Sequence, residues 1–178
     1  MKKVILVTGP ARSGKSEWAE SLAMQSGSPV VYVATAMRNS NDKEWDGRIQ
    51  LHQQRRPDHW QTLEIPLELS TTLTTTDENS CLLVDSLGTW VANLLEMEVE
   101  NWEKTVNTLL EILQQRKNHV IFVAEETGWG VIPAYASGRT FRDRLGYLTR
   151  KIGAIADDVY LVTGGHALNL SILGSRLS

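Results

Sequence analysis

The sequence predicts an α/β protein with a mainly parallel central sheet flanked by helices, and three observations carry that prediction. Short apolar runs rich in β-branched residues recur at positions 4–7, 30–33, 82–84, 120–123 and 159–162, each ending in polar or glycine residues. Between most of them lie segments whose apolar residues return every three or four positions, so strands and helices alternate. The stretch "GPARSGKSE", residues 9–17, directly follows the first run, so the chain opens as strand, glycine-rich loop, helix.

The first run, Val4, Ile5, Leu6 and Val7, is short and apolar enough for a buried strand rather than a helix. Gly9, four residues, Gly14, Lys15 and Ser16 then match the spacing of a P-loop. The loop must wrap phosphate oxygens with backbone N–H groups, and a side chain at position 14 would crowd the anion. Lys15 is expected to reach the β and γ phosphates. Ser16, opening the helix, offers a hydroxyl to Mg²⁺, and the helix N-terminus adds its partial positive charge. The alternative, an ordinary glycine turn, does not call for this spacing between strand and helix. The motif points to a nucleotide without naming a reaction.

The second run ends in Ala34, Thr35 and Ala36, and "DGRIQLHQQRRP" follows at 46–57. Asn41 with Glu44 three residues later has the form of a capping box, and Pro57 forbids continuation, so a helix is expected between them. On it Arg48, His52 and Arg55 or Arg56 fall three or four residues apart, on one face. Neighbouring cations disfavour imidazolium, leaving the ring nucleophilic, and the arginines could bind a phosphate brought to it. Attack of a histidine on phosphorus gives a phosphoramidate and splits one transfer into two. On spacing alone, a solvated basic face with an incidental histidine is the preferred reading.

Residues 66–80 are threonine-rich without a clear period and read as an irregular connection, with room for one short helical or extended piece. The third run, "CLLVD", resembles a Walker B strand: Asp85 at its end would face Mg²⁺ or its water shell opposite Ser16. An acidic residue after an apolar strand is common by chance, but here a P-loop exists to use it. Trp102, Val106, Leu109, Leu110 and Leu113 mark an amphipathic helix, and Phe141, Leu145, Leu148, Ile152 and Ile155 a second. The fourth run ends in Glu125 and Glu126, which would either place a base near an acceptor hydroxyl or cap the following loop. The fifth ends in Thr163, Gly164 and Gly165. Ligands of open α/β sheets collect beyond the carboxyl ends of the strands, so this chemistry converges on one edge.

With 178 residues the chain suits one domain, 1–178, with a single well-buried core. A net charge of −3 gives no electrostatic reason to expect nucleic acid, so any anion must be held by a local cluster. Cys81 is the only cysteine, which excludes an intrachain disulfide and a cysteine metal site, fits a reducing compartment, and reads as a small buried hydrophobe. "MKKVILVTGP" begins like a signal peptide, yet its apolar run ends at the P-loop and no stretch approaches membrane-spanning length. A cytoplasmic protein without a membrane span is expected. Most of the six tryptophans are expected to pack or to meet another subunit, and His59, His119 and His166 show no metal-ligand spacing.

Together these residues resemble one family, the bifunctional adenosylcobinamide kinase and adenosylcobinamide-phosphate guanylyltransferase of cobalamin biosynthesis. The likeness runs in order through "ILVTGPARSGKSEWAE", "VVYVATA", "RIQLHQQRRPDHWQTLE", "LLVDSLGTWVANLL", "EETGWGVIP", "RTFRDRLG" and "IADDVYLVTGG". The P-loop is shared by many families; the combination of R-I-x-x-H-x-x-x-R-P-x-x-W, G-x-G-x-[IV]-P and F-R-D-x-x-G is far more specific. The resemblance implies two reactions. A nucleoside triphosphate, ATP or GTP, phosphorylates the aminopropanol hydroxyl of adenosylcobinamide, and GTP then transfers GMP to that phosphate through a guanylylated histidine, His52 by position. It also implies roles for Gly9, Pro10, Ala11, Arg12, Ser13, Gly14, Lys15, Ser16, Ala34, Thr35 and Ala36 toward GTP. Gln53 and Gln54 would lie beside the nucleotide, Arg55 and Arg56 near the phosphates, Glu64 on guanine or ribose, and Asp85 with Ser16 near Mg²⁺. The implied fold is a RecA-like P-loop sheet, assembled as a homotrimer with nucleotide sites near subunit boundaries. The partners are small molecules, the nucleotide and a cobinamide corrinoid.

Three places depart from the family pattern. Glu125, Glu126, Thr127 and Gly128 stand where an Asn-Glu-Val-Gly turn is usual, Thr149 and Arg150 where an Asn-Gln pair is usual, and Gly164, Gly165, His166 and Ala167 where A-G-[IL]-P is usual. They leave two further readings open: an enzyme of the same fold with one of the two activities, or a non-catalytic GTP-binding regulatory subunit whose P-loop serves as a switch.

Overall fold

The computed structural model of the protein describes residues 2–37, 47 and 56–177. Its centre is a seven-stranded sheet in the order β3-β2-β4-β5-β1-β6-β7. The five expected strands are β1 (Val4–Gly9), β2 (Val30–Ala34), β4 (Cys81–Asp85), β5 (His119–Glu125) and β6 (Asp158–Thr163). All are parallel, as the continuous apolar runs require of strands buried on both faces. Two strands add to the expectation, β3 (Gln61–Glu64), parallel to β2, and β7 (His166–Asn169), antiparallel to β6. Both are four-residue edge strands bounded by polar residues, so neither carries an apolar run long enough for a sequence reading to find. The mainly parallel, helix-flanked P-loop sheet expected of a RecA-like chain is the architecture found.

Six helices flank the sheet among the described residues: α1 (Lys15–Gln25), α2 (Leu69–Thr75), α3 (Leu87–Asn93), α4 (Val99–Gln115), α5 (Ala136–Ile155) and α6 (Leu170–Leu173). The two helices read from periodicity are α4 and α5, each turning its apolar stripe to the core. The short helical piece allowed within 66–80 is α2. Its threonines return hydrogen bonds to the preceding turn (Thr72 Oγ1 to Glu68 O, 2.9 Å; Thr75 Oγ1 to Thr71 O, 3.0 Å), and buried Leu69, Thr72 and Leu73 offset the weak helix propensity of such a sequence. Among the described residues no helix is long and apolar enough to cross a membrane.

Strand alternation divides the core into two layers. Val4, Leu6, Val31, Val33, Leu82, Val84, Val120 and Phe122 face α3, α4 and α5, packing with Trp90, Trp102, Leu109, Leu145 and Leu148. Ile5, Val7, Tyr32, Cys81, Leu83, Ile121 and Val123 face the other way, onto Ala19 and Ala23 of α1 and onto Trp60. Each fully buried aliphatic side chain contributes about 1.5–3 kcal/mol, so the two layers hold the strands in register and the strand ends above them in place. Cys81 is fully buried, and burial pushes its thiol up to about 11, in keeping with a small hydrophobe rather than a nucleophile.

Candidate nucleotide site

The register brings the expected strand-end residues Ala34, Glu64, Asp85 and Glu125 to one edge, with Gly9 at the start of the P-loop. Ala34 pairs with Glu64 on one side and Asp85 on the other, and Asp85 pairs with Val123. Gly9 pairs with Glu125, two residues further up the sheet. The ends of β1, β2, β3, β4 and β5 therefore border a single rim, where an open α/β sheet places its ligand.

On this rim the P-loop has the geometry of an anion cradle. Gly14 adopts φ 90° as the N-cap of α1, a left-handed conformation that favours glycine, and no side chain caps the helix there, so its first N–H groups point at whatever the loop holds. Arg12 is also left-handed, at φ 59°. A Cβ at Gly9 would overlap the carbonyl oxygen of Val162 and crowd Ser13 Oγ, which explains the first glycine of the motif as a packing requirement of β1 against β6. Ser13 Oγ is buried without a hydrogen-bond partner, an orphaned group that a phosphate oxygen would satisfy. Lys15 Nζ lies 3.4 Å from Pro10 O, folded over the loop. Ser16, Pro10 and Gly14 are half-buried around it, while Ala11 and Arg12 are exposed.

The carboxylate of Asp85 accepts a hydrogen bond from Tyr32 Oη at 2.9 Å. Tyr32 lies in β2 with 2% of its surface exposed, and the guanidinium carbon of Arg56 sits 3.4 Å from its ring centroid. Burial, reinforced by the Asp85 charge, pushes the Tyr32 hydroxyl well above its ordinary value, so it stays a donor. Arg56 Nη1 also reaches Thr62 Oγ1 of β3, 3.3 Å away.

Beside Asp85 a knot of short polar side chains holds the first turn of α3. Thr35 Oγ1 donates to Ser86 O (2.7 Å) and accepts from Ser86 N (2.9 Å), and it also contacts Thr89 Oγ1. Ser86 and Thr89 form a capping box, and Asn93 Nδ2 donates to the carbonyls of Thr35 (2.8 Å) and Pro66 (3.0 Å). Thr35, expected beside the nucleotide, is fully buried with its side chain engaged in this knot, whereas Ala34 and Ala36 on either side are half-buried. Glu64 is exposed at the end of β3.

The two carboxylates ending β5 separate. Glu126 Oε1 accepts from Gly128 N at 2.9 Å and caps the following loop. Glu125 turns inward: its Oε2 accepts from Gly88 N at 2.9 Å, with Ser86 also hydrogen-bonded to it and Lys15 and Asp85 close enough to act on its charge. Burial raises its carboxyl above the ordinary value, against the opposing effects of Ser86 and Lys15.

Arg48, His52, Gln53, Gln54 and Arg55, and the helix expected between Asn41 and Pro57 apart from helical Gly47, lie outside the described residues. Among the described residues no three His, Cys, Asp or Glu side chains form a metal cluster. His119, at the start of β5, accepts from Lys3 N, and His166 contacts Gly164 O in the turn that follows β6. Sequence reasoning did not single out Tyr32 or the Ser86, Thr89 and Asn93 knot. A lone hydroxyl inside an aliphatic strand, which must find a partner when buried, was the available signal for Tyr32.

The sequence model described as cobinamide kinase / cobinamide phosphate guanyltransferase matches residues 5–170. The chain is 41% identical over 162 residues to the bifunctional adenosylcobalamin biosynthesis protein CobP of Pseudomonas aeruginosa, covering 90% of this chain and 92% of that protein. It is 36% identical over 177 residues to the bifunctional adenosylcobalamin biosynthesis protein CobU of Salmonella typhimurium, covering 91% and 96%. Among solved structures, a protein of Pyrococcus horikoshii OT3 superposes with a TM-score of 0.57 at 9% identity, over 99% of this chain and 92% of the other, a likeness of fold.

Proposed function

The chain belongs to the cobinamide kinase / cobinamide phosphate guanyltransferase family, and from that premise we propose how its residues carry the two transfers. The chain is a bifunctional kinase and guanylyltransferase: it phosphorylates the alcohol of adenosylcobinamide and then joins GMP from GTP to that phosphate. The observation that carries the reading is the match across residues 5–170 together with a P-loop whose rim gathers Lys15, Asp85 and Glu125.

In the kinase step the uncapped N-terminus of α1 and Lys15 hold the phosphate chain while the acceptor oxygen bonds to the γ-phosphorus, its proton passes to solvent, and the β–γ bridge breaks to release the nucleoside diphosphate. Little covalent assistance is needed, because positioning and charge neutralisation supply most of the acceleration in phosphoryl transfer. In the guanylyl step an imidazole nitrogen of His52 bonds to the α-phosphorus and pyrophosphate leaves. The cobinamide phosphate oxygen then bonds to the same phosphorus and frees the histidine. Arg55 and Arg56 would neutralise the phosphates, with Gln53, Gln54, Ala34, Ala36 and Glu64 lining the nucleoside. Thr35 acts through Ser86 and Asp85.

The Ser16 hydroxyl and the Asp85 carboxylate are oxygen donors of the kind Mg²⁺ takes, and they would hold the ion beside the phosphate chain. When bound, the ion neutralises charge developing along the phosphate chain. A homotrimer with sites near the subunit boundaries is proposed as well, supported by apolar side chains that lie exposed in one chain, including Trp129, Val131, Ile132, Ile172 and Leu173. A single, buried cysteine supports work in the reducing cytoplasm.

The test is incubation with Mg²⁺ and GTP labelled at the α-phosphate, followed by denaturation and counting. Acid-labile, alkali-stable label on the wild type, absent from His52→Ala, is the expected result. Label on neither, with GTP bound, would leave a kinase or a binding subunit, and phosphorylation of cobinamide by the same sample separates those two.

A further inference from the structure

Tyr32 interrupts an otherwise aliphatic strand, Val30, Val31, Val33 and Ala34, and makes two contacts that a leucine or valine could not. Its hydroxyl donates to Asp85 Oδ2 at 2.9 Å, and its ring lies under the guanidinium of Arg56 at 3.4 Å. These contacts face different parts of the site. Asp85 ends β4 on the rim beside the P-loop, while Arg56 follows His52 by four residues and directly precedes Pro57.

A carboxylate with one oxygen held by a buried donor has a set direction for the other, and a guanidinium resting on a buried ring loses the freedom of a long side chain. We propose that Tyr32 is a positioning residue that acts on two side chains at once, aiming Asp85 through its hydroxyl and seating the Arg56 guanidinium on its ring. With only 2% of its surface exposed, Tyr32 would act on the nucleotide through these two residues rather than by contact. The inference deepens the function proposed above and rests on it for the identity of the two transfers.

The hydroxyl and the ring can be removed separately. Tyr32→Phe keeps the seat of Arg56 and loses the donor to Asp85. It is expected to raise half-saturating Mg²⁺ by about fivefold, the worth of one hydrogen bond, with His52 labelling at saturating Mg²⁺ near wild type. Tyr32→Leu loses both contacts and is expected to slow His52 labelling by about tenfold even at saturating Mg²⁺, the range of a desolvated cation–π contact. Two readouts on the ligand-free chain are independent of turnover. Amide exchange over residues 56–64 should quicken in Tyr32→Leu and not in Tyr32→Phe. Thermal shifts of Tyr32→Phe and Asp85→Asn should be non-additive in a double-mutant cycle.

A residue that merely fills the core predicts the opposite pattern. Both variants would then lower the melting temperature while Mg²⁺ half-saturation and labelling per folded molecule stay at wild-type values and the thermal shifts add, and that pattern overturns the proposal. Absence of label on the wild type would overturn the guanylyltransferase reading instead. The exchange and double-mutant readouts would still decide whether Tyr32 holds Asp85 and Arg56.

Discussion

Glu125 Oε2 accepts a hydrogen bond from the N–H of Gly88 at 2.9 Å, and a Cβ at position 88 would overlap that same oxygen. The end of β5 and the first turn of α3 thus meet through a carboxylate that occupies the space a side chain would take. The contact explains why a glycine stands in the first turn of a helix, where its backbone freedom is otherwise a cost.

Gly88→Ala is therefore expected to expel the Glu125 carboxylate from its donor. The displaced group is the far end of a flexible side chain, so the chain should fold, with a stability loss of about 1–3 kcal/mol measured by denaturant unfolding. Gly9→Ala provides the contrast. There the overlap is with the backbone carbonyl of Val162, which cannot swing aside, and loss of both soluble protein and nucleotide binding is expected.

Burial raises the Glu125 carboxyl, so the folded chain holds this proton more tightly than the unfolded chain does. Its ionised form weighs against folding above the raised value, and that penalty disappears as pH falls below the ordinary carboxyl value. Glu125→Gln keeps an acceptor for Gly88 and removes the charge. Its melting temperature should exceed wild type at pH 8, with the difference shrinking as pH falls through the ordinary carboxyl range. A constant difference across that range would show that charge is not the cause.

Arg144 donates to the carbonyls of Leu94 (2.9 Å), Leu95 (3.0 Å) and Met97 (2.5 Å), closing the turn after α3 from the side of α5. It is buried, with its guanidinium carbon 5.1 Å from the Trp102 ring centroid. Arg144→Met preserves volume and strips the donors, and a loss of about 3 kcal/mol is expected from the stranded carbonyls. Calorimetry should record it as a fall of roughly 6–12 °C in melting temperature.

Lys15→Ala tests the phosphate chemistry separately from the fold. Lys15 is half-buried, hydrogen-bonds among the described residues only to Pro10 O and otherwise offsets the buried charge of Glu125, so melting should fall modestly while the chain still folds. Both transfers should slow by about 100-fold or more, as removal of a preorganised charge from a transition state does. Retention of either rate would move that step to another site.

Much of the rim was legible in the sequence because its signals are local. Gly9 to Ser16 announce themselves by spacing, Asp85 by following an apolar strand, and α4 and α5 by their period. The edge strands β3 and β7 were not legible, since a four-residue strand with one neighbour has no apolar run long enough to show. Nor was α3, whose seven residues are held by the Ser86 and Thr89 capping box and by Asn93 reaching to Thr35 and Pro66. Glu125 and Glu126 illustrate the limit most clearly. Two identical, adjacent residues took different roles, one capping its own loop and the other reaching across to Gly88.

By itself the sequence determined that this is a P-loop α/β protein, which family motifs it carries, and which strand ends gather at one rim. Those properties depend on periodicity and spacing along the chain, which side-chain chemistry sets within a few residues. Only the tertiary structure decided that Tyr32 joins Asp85 to Arg56, that Thr35 serves Ser86, and that Glu125 rather than Glu126 turns inward. Each of these depends on which strand lies beside which, and in what register. That is settled by how the two core layers pack across the sheet, a balance of contacts between residues distant in the chain.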